Sequence, residues 1–449
     1  MEARRFERAL QCSVAEGALA TVMCTLLGGV FLTAFALRLG ANELQIGLLA
    51  ATTSLAHLAQ LAGACAVERL GRRKRICMIA SWISRLLWLP IMLVPFVCSS
   101  ASPERQAWYI VGLLIVSSMF ASVGGVAWLS WIKELVPAEM RLRFLGRRHI
   151  FNTALAFGMS LAGGLLVDGW TQWRPDSLGG FISVFATAMA CGIFGLLILH
   201  RIPDAPASPP VTTPLRTVLV GPVRDRNFRR LIAFYAVWNF ASNMATPFFA
   251  VYMLAVLKLS FGTVTLLLTL SSIAGLAATR WWTRFGDRFG TRSMVLIATF
   301  ADVACPLLWL LVSSSNLWML IPIHLLGVVT APITLGPNAL PLKLSPSENG
   351  STYLAFFNAV TGPLTAAGAV VGGLIAGWNA DAGAVASIDG LKTIFFISAM
   401  GRFLSLFLLR TVREPEARPV RHIVKLVHRS RRRWANDRRR GMALELEKV

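Results

Sequence analysis

The sequence predicts an all-α integral membrane protein, with twelve transmembrane helices forming two pseudo-symmetric six-helix bundles. Three observations predict it. The 449 residues are 55% hydrophobic and only 15% charged, with a mean hydropathy of +0.61, whereas soluble domains carry about a quarter charged residues. The charges cluster and leave uncharged runs of about 20 residues, the length a helix needs to cross a bilayer. A short basic motif recurs at the same place in each half of the chain. Lipid offers the backbone no hydrogen-bond partner, so only helices or closed barrels can span it. These runs are too long and too continuously apolar for barrel strands.

Taken in order, residues 1–12 form a polar cytoplasmic N-terminus containing Arg4, Arg5 and Arg8. Span 1 covers 13–37 and ends at Arg38-Leu39-Gly40. It is too long for a signal-peptide core and lacks a cleavage site, so it is retained. A turn through Asn42 leads to span 2, ending near residue 67, and then to the basic loop ERLGRRKR. Span 3 covers 76–97, span 4 107–132, span 5 150–167 and span 6 180–199, completing an N-terminal bundle over 13–200. Six prolines and lost apolar periodicity mark 201–230 as a cytoplasmic linker. The C-terminal bundle, 231–411, holds span 7 (231–257), span 8 (263–282), span 9 (294–312), span 10 (317–340), span 11 (352–378) and span 12 (391–409). A basic tail, 412–449, follows; its Val420, Ile423, Val424 and Val427 share a helical face, fitting either a helix on the anionic leaflet or a solvated tail.

The net charge of +22 comes from 44 basic and 22 acidic residues. In a soluble chain this would point to nucleic acid. Here the basic residues flank the spans, so anionic headgroups and the positive-inside bias account for them, and nucleic acid is not an expected partner. The even parity of twelve spans puts both termini on one side. The N-terminus, the loops after spans 2, 4, 6, 8 and 10, and the tail hold nearly all the Lys and Arg. That side is therefore cytoplasmic, in a multi-pass plasma membrane of bacterial inner-membrane type. The seven cysteines include no C-x-x-C pair, so neither a disulfide framework nor a metal site is expected. No nucleophile–base arrangement and no Walker motif occur; the reading is a non-enzyme with no cofactor, acting as a monomer on a small molecule.

The halves overlay. Arg38-Leu39 and Lys258-Leu259 close spans 1 and 7; the loop acids Glu68 and Asp287 follow 30 and 29 residues later. GGLLVDGW (163–170) matches GGLIAGW (372–378). The paired loops, ACAVERLGRRKR (64–75) and TRFGDRFGTR (283–292), resemble the loop motif of the major facilitator superfamily. That resemblance covers about 13–411. The first copy departs at Ala64 and Glu68, the second at Thr283 and Thr291. It implies a transporter working by alternating access. It also implies that Glu68, Arg69, Gly71, Arg72 and Arg73 latch toward span 11, and Asp287, Arg288, Gly290 and Arg292 toward span 5. The alternative is that the arginines only set topology and bind lipid phosphate. A non-transporting membrane scaffold or assembly factor on the same fold is the second functional class.

Polar residues inside spans are functional candidates by default. Arg85, Asp302 and Arg402 lie roughly 13 Å deep at helical rise. The resemblance makes spans 3, 6, 9 and 12 outer supports, so Asp302 and Arg402 read as a structural ion pair rather than a proton relay, and Arg85, with no clear partner, as a residue that snorkels or contacts a backbone carbonyl. Glu16 lies near the mouth of span 1; it is either a proton-coupling carboxylate or a partner of Arg4, Arg8 or Arg85. Asn239, Asn243 and Thr246 share one face of span 7, where substrate contact and helix–helix hydrogen bonding are the competing readings. His324, Asn338 and Asn358 are further cavity candidates, and His57 a packing one. Trp128 and Trp131 end span 4, as an interfacial belt would. The uncharged interior implies a neutral or amphipathic solute. Span 4 lacks the arginine, and span 5 the proline signature, of proton-driven drug exporters of the family.

Overall fold

A computed structural model describes residues 2–136, 138–175, 177–204, 215–345, 350–377 and 388–414, and among these every regular element is helical. Ten of the described helices are long and apolar enough to cross a membrane: 8–38, 43–67, 73–97, 103–132, 148–173, 179–200, 261–289, 291–311, 353–376 and 388–411. They correspond to spans 1–6, 8, 9, 11 and 12. Arg226–Val251 and the segmented run Leu320–Leu325 and Gly327–Leu344 occupy the places of spans 7 and 10.

Local chemistry starts and stops the helices where sequence patterning places them. Asn42 and Gln45 form a reciprocal capping box before span 2. Ser260 caps span 8 by accepting from Thr263 N, and the Asp225 carboxylate caps span 7 by accepting from Asn227 N and Phe228 N. The two motif glycines end spans 2 and 8 with φ of +61° at Gly71 and +95° at Gly290, a region that side chains with a Cβ avoid.

The structure departs from the sequence reading where helices break. Span 1 is two helices, Glu2–Leu27 and Gly29–Arg38, separated at Gly28 with φ +54° at Gly29. Span 3 breaks at Leu87 into Arg73–Leu86 and Trp88–Val97. Span 7 ends in a wide π turn, Tyr252–Val256. The linker contains a helix, Leu215–Arg224, with Gly221 against the Tyr353 ring; five of the linker's prolines precede it, and Pro222 lies inside its last turn. The expected tail helix and the turn after span 11 lie outside the described residues.

The packing repeats between halves. Span 1 packs on spans 5 and 6, and span 7 on spans 11 and 12; span 2 packs on span 4, and span 8 on span 10; span 3 packs on span 4, and span 9 on span 10. The halves meet where span 2 packs on span 11 and span 8 on span 5, the same pairing exchanged between them.

Among the described residues the halves join from the middle of the molecule to one face, and not at the other. That face carries the turns at 38–43 and 258–261; the opposite, basic face carries the motif loops. On the turn face a single apolar core runs across both halves, including Phe31, Phe35 and Phe181 from the first and Phe248, Phe261 and Phe395 from the second. On the basic face the cores are separate. One is built around Trp131, Leu196 and Leu199, the other around Phe234, Tyr235 and Trp282.

Spans 2 and 11 approach closely enough that a Cβ at Gly47 would lie 2.5 Å from the Ala369 carbonyl oxygen, and one at Gly373 2.6 Å from that of Glu43. Gly47→Val should therefore destabilise the protein by about 1–3 kcal/mol, the usual cost of overpacking. Gly112→Ala, where a Cβ meets nothing within 4 Å, should leave the thermal unfolding midpoint of the purified protein unchanged. Equal midpoints for the two variants would show that this helix contact does not hold the halves together.

Candidate functional site

A central cavity of about 660 Å³ lies between the halves, within the size range of small-molecule sites. It is built where helices are interrupted. Gly28 and Gly29 line it from the break in span 1, and Thr246, Pro247, Phe249 and Ala250 from the last turns of span 7. Irregular backbone at membrane depth is tolerated only where protein or a cavity receives it. Among the described residues, no Asp, Glu, Lys or Arg lines this cavity.

The polar lining is modest and largely satisfied within its own helices. Asn243 donates through Nδ2 to the Asn239 carbonyl at 3.0 Å, and Thr246 donates to the Ser242 carbonyl at 2.8 Å. Such back-bonding leaves the Asn243 amide oxygen and the Thr246 hydroxyl oxygen able to accept. His324 also lines the cavity; its Nδ1 lies 2.8 Å from the Leu320 carbonyl oxygen and its ring stands edge-on to Trp309. Of the span 7 stripe, Asn243 and Thr246 face the cavity; Asn239 contributes its carbonyl to Asn243 and is not in the wall. Asn358 is half-buried away from it, and the Asn338 side chain lies outside the described ones. His57 is exposed and bonds Gln60.

Spans 3 and 9 are not only outer supports: Ser84 and Trp88 from the first, and Cys305 and Trp309 from the second, reach the central cavity. Gly28 and Gly29 present no side chains there that could screen span 3. Nor is Trp131 a lipid-facing belt residue. It is fully buried, and its indole Nε1 donates to the Pro203 carbonyl.

Two polar clusters flank the cavity. In the second half Arg402 Nη1 lies 2.9 Å from Asp302 Oδ1, and Trp238 Nε1 donates to Asp302 Oδ2 at 3.1 Å. In the first half Glu16 faces Arg85 at 3.4 Å and Arg148 at 3.0 Å. Of the two readings of Arg85 the carbonyl contact is the one found: it is 8% exposed and also donates to the Gly192 carbonyl. In the sequence, Arg148 is legible only as one charge of a topogenic loop.

The described contacts of the loop side chains stay within their own halves. Arg73 bonds Glu134 and Ser130. Arg292 donates to the Leu409 and Arg410 carbonyls at the end of span 12, while Glu414 accepts from Thr291 N and Arg292 N. Asp287, Arg288 and Arg72 are exposed, and Asp287 has no partner among the described residues. The side chains of Glu68 and Arg69 lie outside the described ones.

An acid does bridge the halves, on the opposite face. Asp168, at the end of span 5, accepts from Phe261 N at 2.8 Å and Gly262 N at 2.6 Å, the first two amides of span 8. Those amides have no intrahelical acceptor, and the helix dipole favours a negative charge there. The sequence carries one signal for this residue, an aspartate in GGLLVDGW that GGLIAGW lacks.

A family model described as "Major Facilitator Superfamily" matches residues 17–362 and 231–440. No curated protein matches the sequence. Among solved structures, the chain is similar to a point mutant of the nucleoside transporter NupG, at 11% identity and TM-score 0.72, covering 91% of this chain and 100% of that one. It is similar to a bacterial homologue of the iron transporter ferroportin in an inward-facing state, at 14% identity and TM-score 0.65, covering 91% and 98%. It is also similar to the inward-open xylose transporter XylE from E. coli, at 14% identity and TM-score 0.62, covering 94% and 98%.

Replacing Asp168 with Asn removes a charge-assisted pair of hydrogen bonds, a loss of about 1.5–3 kcal/mol. The turn face should open, with thiol labelling of a cysteine placed at Thr171 rising roughly ten- to a hundredfold. Unchanged labelling would remove Asp168 as a tie between the halves.

Proposed function

Because the chain belongs to the Major Facilitator Superfamily, we propose that it is a secondary transporter that moves a small amphipathic or neutral solute by alternating access. The observation that carries this reading is the one-sided join: a shared core and the Asp168 bond on the turn face, separate cores on the basic face. A rigid scaffold gains nothing from a cavity of this size walled by both halves.

By positive-inside bias the basic face is cytoplasmic, with both termini, in the plasma membrane. The conformation is then inward-facing, the state ascribed to two of the similar structures. In the outward-facing state the loops would engage instead, Glu68, Arg69 and Arg72 against span 11 and Asp287 and Arg288 against span 5. Arg292 would have to leave the span 12 carbonyls it now holds. The uncharged wall suits an apolar or weakly polar body, with Asn243, Thr246 and His324 supplying directional contacts. Glu16 is the carboxylate through which a proton would couple, since protonation would weaken its hold on Arg85 and Arg148.

A thermal-shift screen of purified protein against metabolites and drugs tests the site, because a ligand of the native state raises apparent stability. Binders should emerge, and Asn243→Ala should lower their affinity about five- to tenfold, the value of one neutral hydrogen bond. If every shift survives Asn243→Ala and His324→Ala unchanged, the solute does not sit in this cavity. If no solute that binds is carried into proteoliposomes, the scaffold reading replaces the transporter.

A further inference from the structure

We propose that the solute carries an anionic group, a carboxylate or its equivalent, held by Arg148 and Arg85 beside the central cavity. The inference rests on the transporter reading and narrows its substrate class.

A second cavity of about 270 Å³ adjoins the first, with Met23, Cys24, Ser84 and Ala121 as their common wall. Glu16, Arg85, Arg148 and Trp128 line it. It lies wholly within the first half, among spans 1, 3, 4, 5 and 6. Two guanidinium groups here face one carboxylate, leaving one positive charge uncompensated among the described residues; Glu16 and Arg85 are 5% and 8% exposed, and the Arg148 side chain is 14% exposed. Burying an unpaired charge costs roughly several kcal/mol, so an excess kept in such a place calls for a ligand.

The fold does not require the excess. The corresponding cluster of the second half is balanced, with Arg402 on Asp302 alone.

Donors stand ready for the missing anion. Arg148 uses Nε on the Ser13 carbonyl and Nη2 on Glu16, and its Nη1 has no partner among the described residues. Trp128 holds the Arg148 guanidinium 4.2 Å from its ring centroid, and its own indole Nε1 is buried with no hydrogen bond among the described residues. A planar guanidinium and an indole N–H from two residues that line one cavity suit the oxygens of a carboxylate. Glu16 then serves as the internal stand-in for the solute's acid. Its carboxylate already occupies one side of each arginine. The central cavity, walled by Trp88, Phe249, Trp309 and Met253, takes the apolar body.

The probe pair is 4-phenylbutyrate and its uncharged isostere 4-phenylbutyramide, each titrated onto the purified full-length protein by thermal shift and equilibrium dialysis. The acid should bind about ten- to a hundredfold tighter than the amide. Arg148→Gln should erase that preference while leaving amide binding intact. Glu16→Gln should strengthen acid binding several-fold, because it frees both arginines. This opposite sign is what a merely structural triad would not produce. Should Arg148→Gln fail to fold, Arg148→Lys keeps the charge, loses the fork, and should retain only part of the preference. Equal affinity for acid and amide overturns the anion site and leaves the transporter reading standing. So does no binding of 4-phenylbutyrate by a protein that binds a neutral solute in the wider screen. Weakening by Glu16→Gln as large as that by Arg148→Gln also overturns it. Phosphatidylglycerol added to the micelles should not compete, since the site is enclosed by five helices; full competition would assign the arginines to lipid headgroups and overturn the solute site.

Discussion

A backbone N–H or C=O in hydrocarbon has no partner but another part of the protein, and the rest of this structure follows from where that rule is relaxed. Continuous helices satisfy themselves and face lipid. The interruption at Gly28–Gly29 and the π turn at Tyr252–Val256 occur instead in the two symmetry-related helices, spans 1 and 7, that border the central cavity. Each break frees backbone groups and removes or displaces side chains. The cavity and the irregularity are thus one feature. The wall there is formed by the two glycines and the last turns of span 7, with Asn243, Thr246 and His324 among the lining side chains.

The same accounting explains how the halves are held. The first amides of any helix lack acceptors. Span 8 begins at the face where the halves join, and Asp168 from the other half supplies the acceptor. The bond depends on position, so it would be lost if the halves tilted apart. Ser260 caps the next amide along, accepting from Thr263 N, so breaking the Asp168 bond leaves the helix start partly satisfied. Close contact of spans 2 and 11 adds the apolar share on the same face. A join made of one charge-assisted cap and a small-residue seam is strong enough to define a state and weak enough to be exchanged for another.

Much of this is legible in the sequence. The helical class follows from local hydropathy, and ten of the expected spans recur as described helices long and apolar enough to cross a membrane, because lipid enforces that pattern residue by residue; the duplicated loops follow from local spelling. The functional contacts are harder to read. Asp168 finds its acceptor role 93 residues away and Glu16 meets Arg148 132 residues away. Nothing near Arg148 in sequence distinguishes it from Arg147, since both read as topogenic charge. The glycine pair in span 1 is visible, yet a glycine pair alone does not tell a packing notch from a helix break. Spans 3 and 9 read as remote from the cavity for the same reason: their exposure to it depends on what a neighbouring helix leaves out.

The repeat makes departures from symmetry informative. Both halves place an acid and an arginine together near spans 1, 3 and 6 or spans 7, 9 and 12; in the second half Trp238 donates to the acid, and in the first Trp128 stacks on the additional arginine, Arg148. In the second half charge, donors and acceptors close upon themselves, apart from one arginine Nε, and the pair reads as architecture. In the first, span 5 contributes an additional arginine, and the cluster opens onto a cavity that shares its wall with the central one. Duplication supplies two copies of a structural solution, and only one need keep it. Arg148 also sits at the start of span 5, whose other end carries Asp168. One rigid helix therefore links the charged cluster to the bond that joins the halves. An anion drawn onto Arg148 would pull at one end of the helix whose far end holds the turn face shut, which connects occupancy of the site to the contact that alternating access must break.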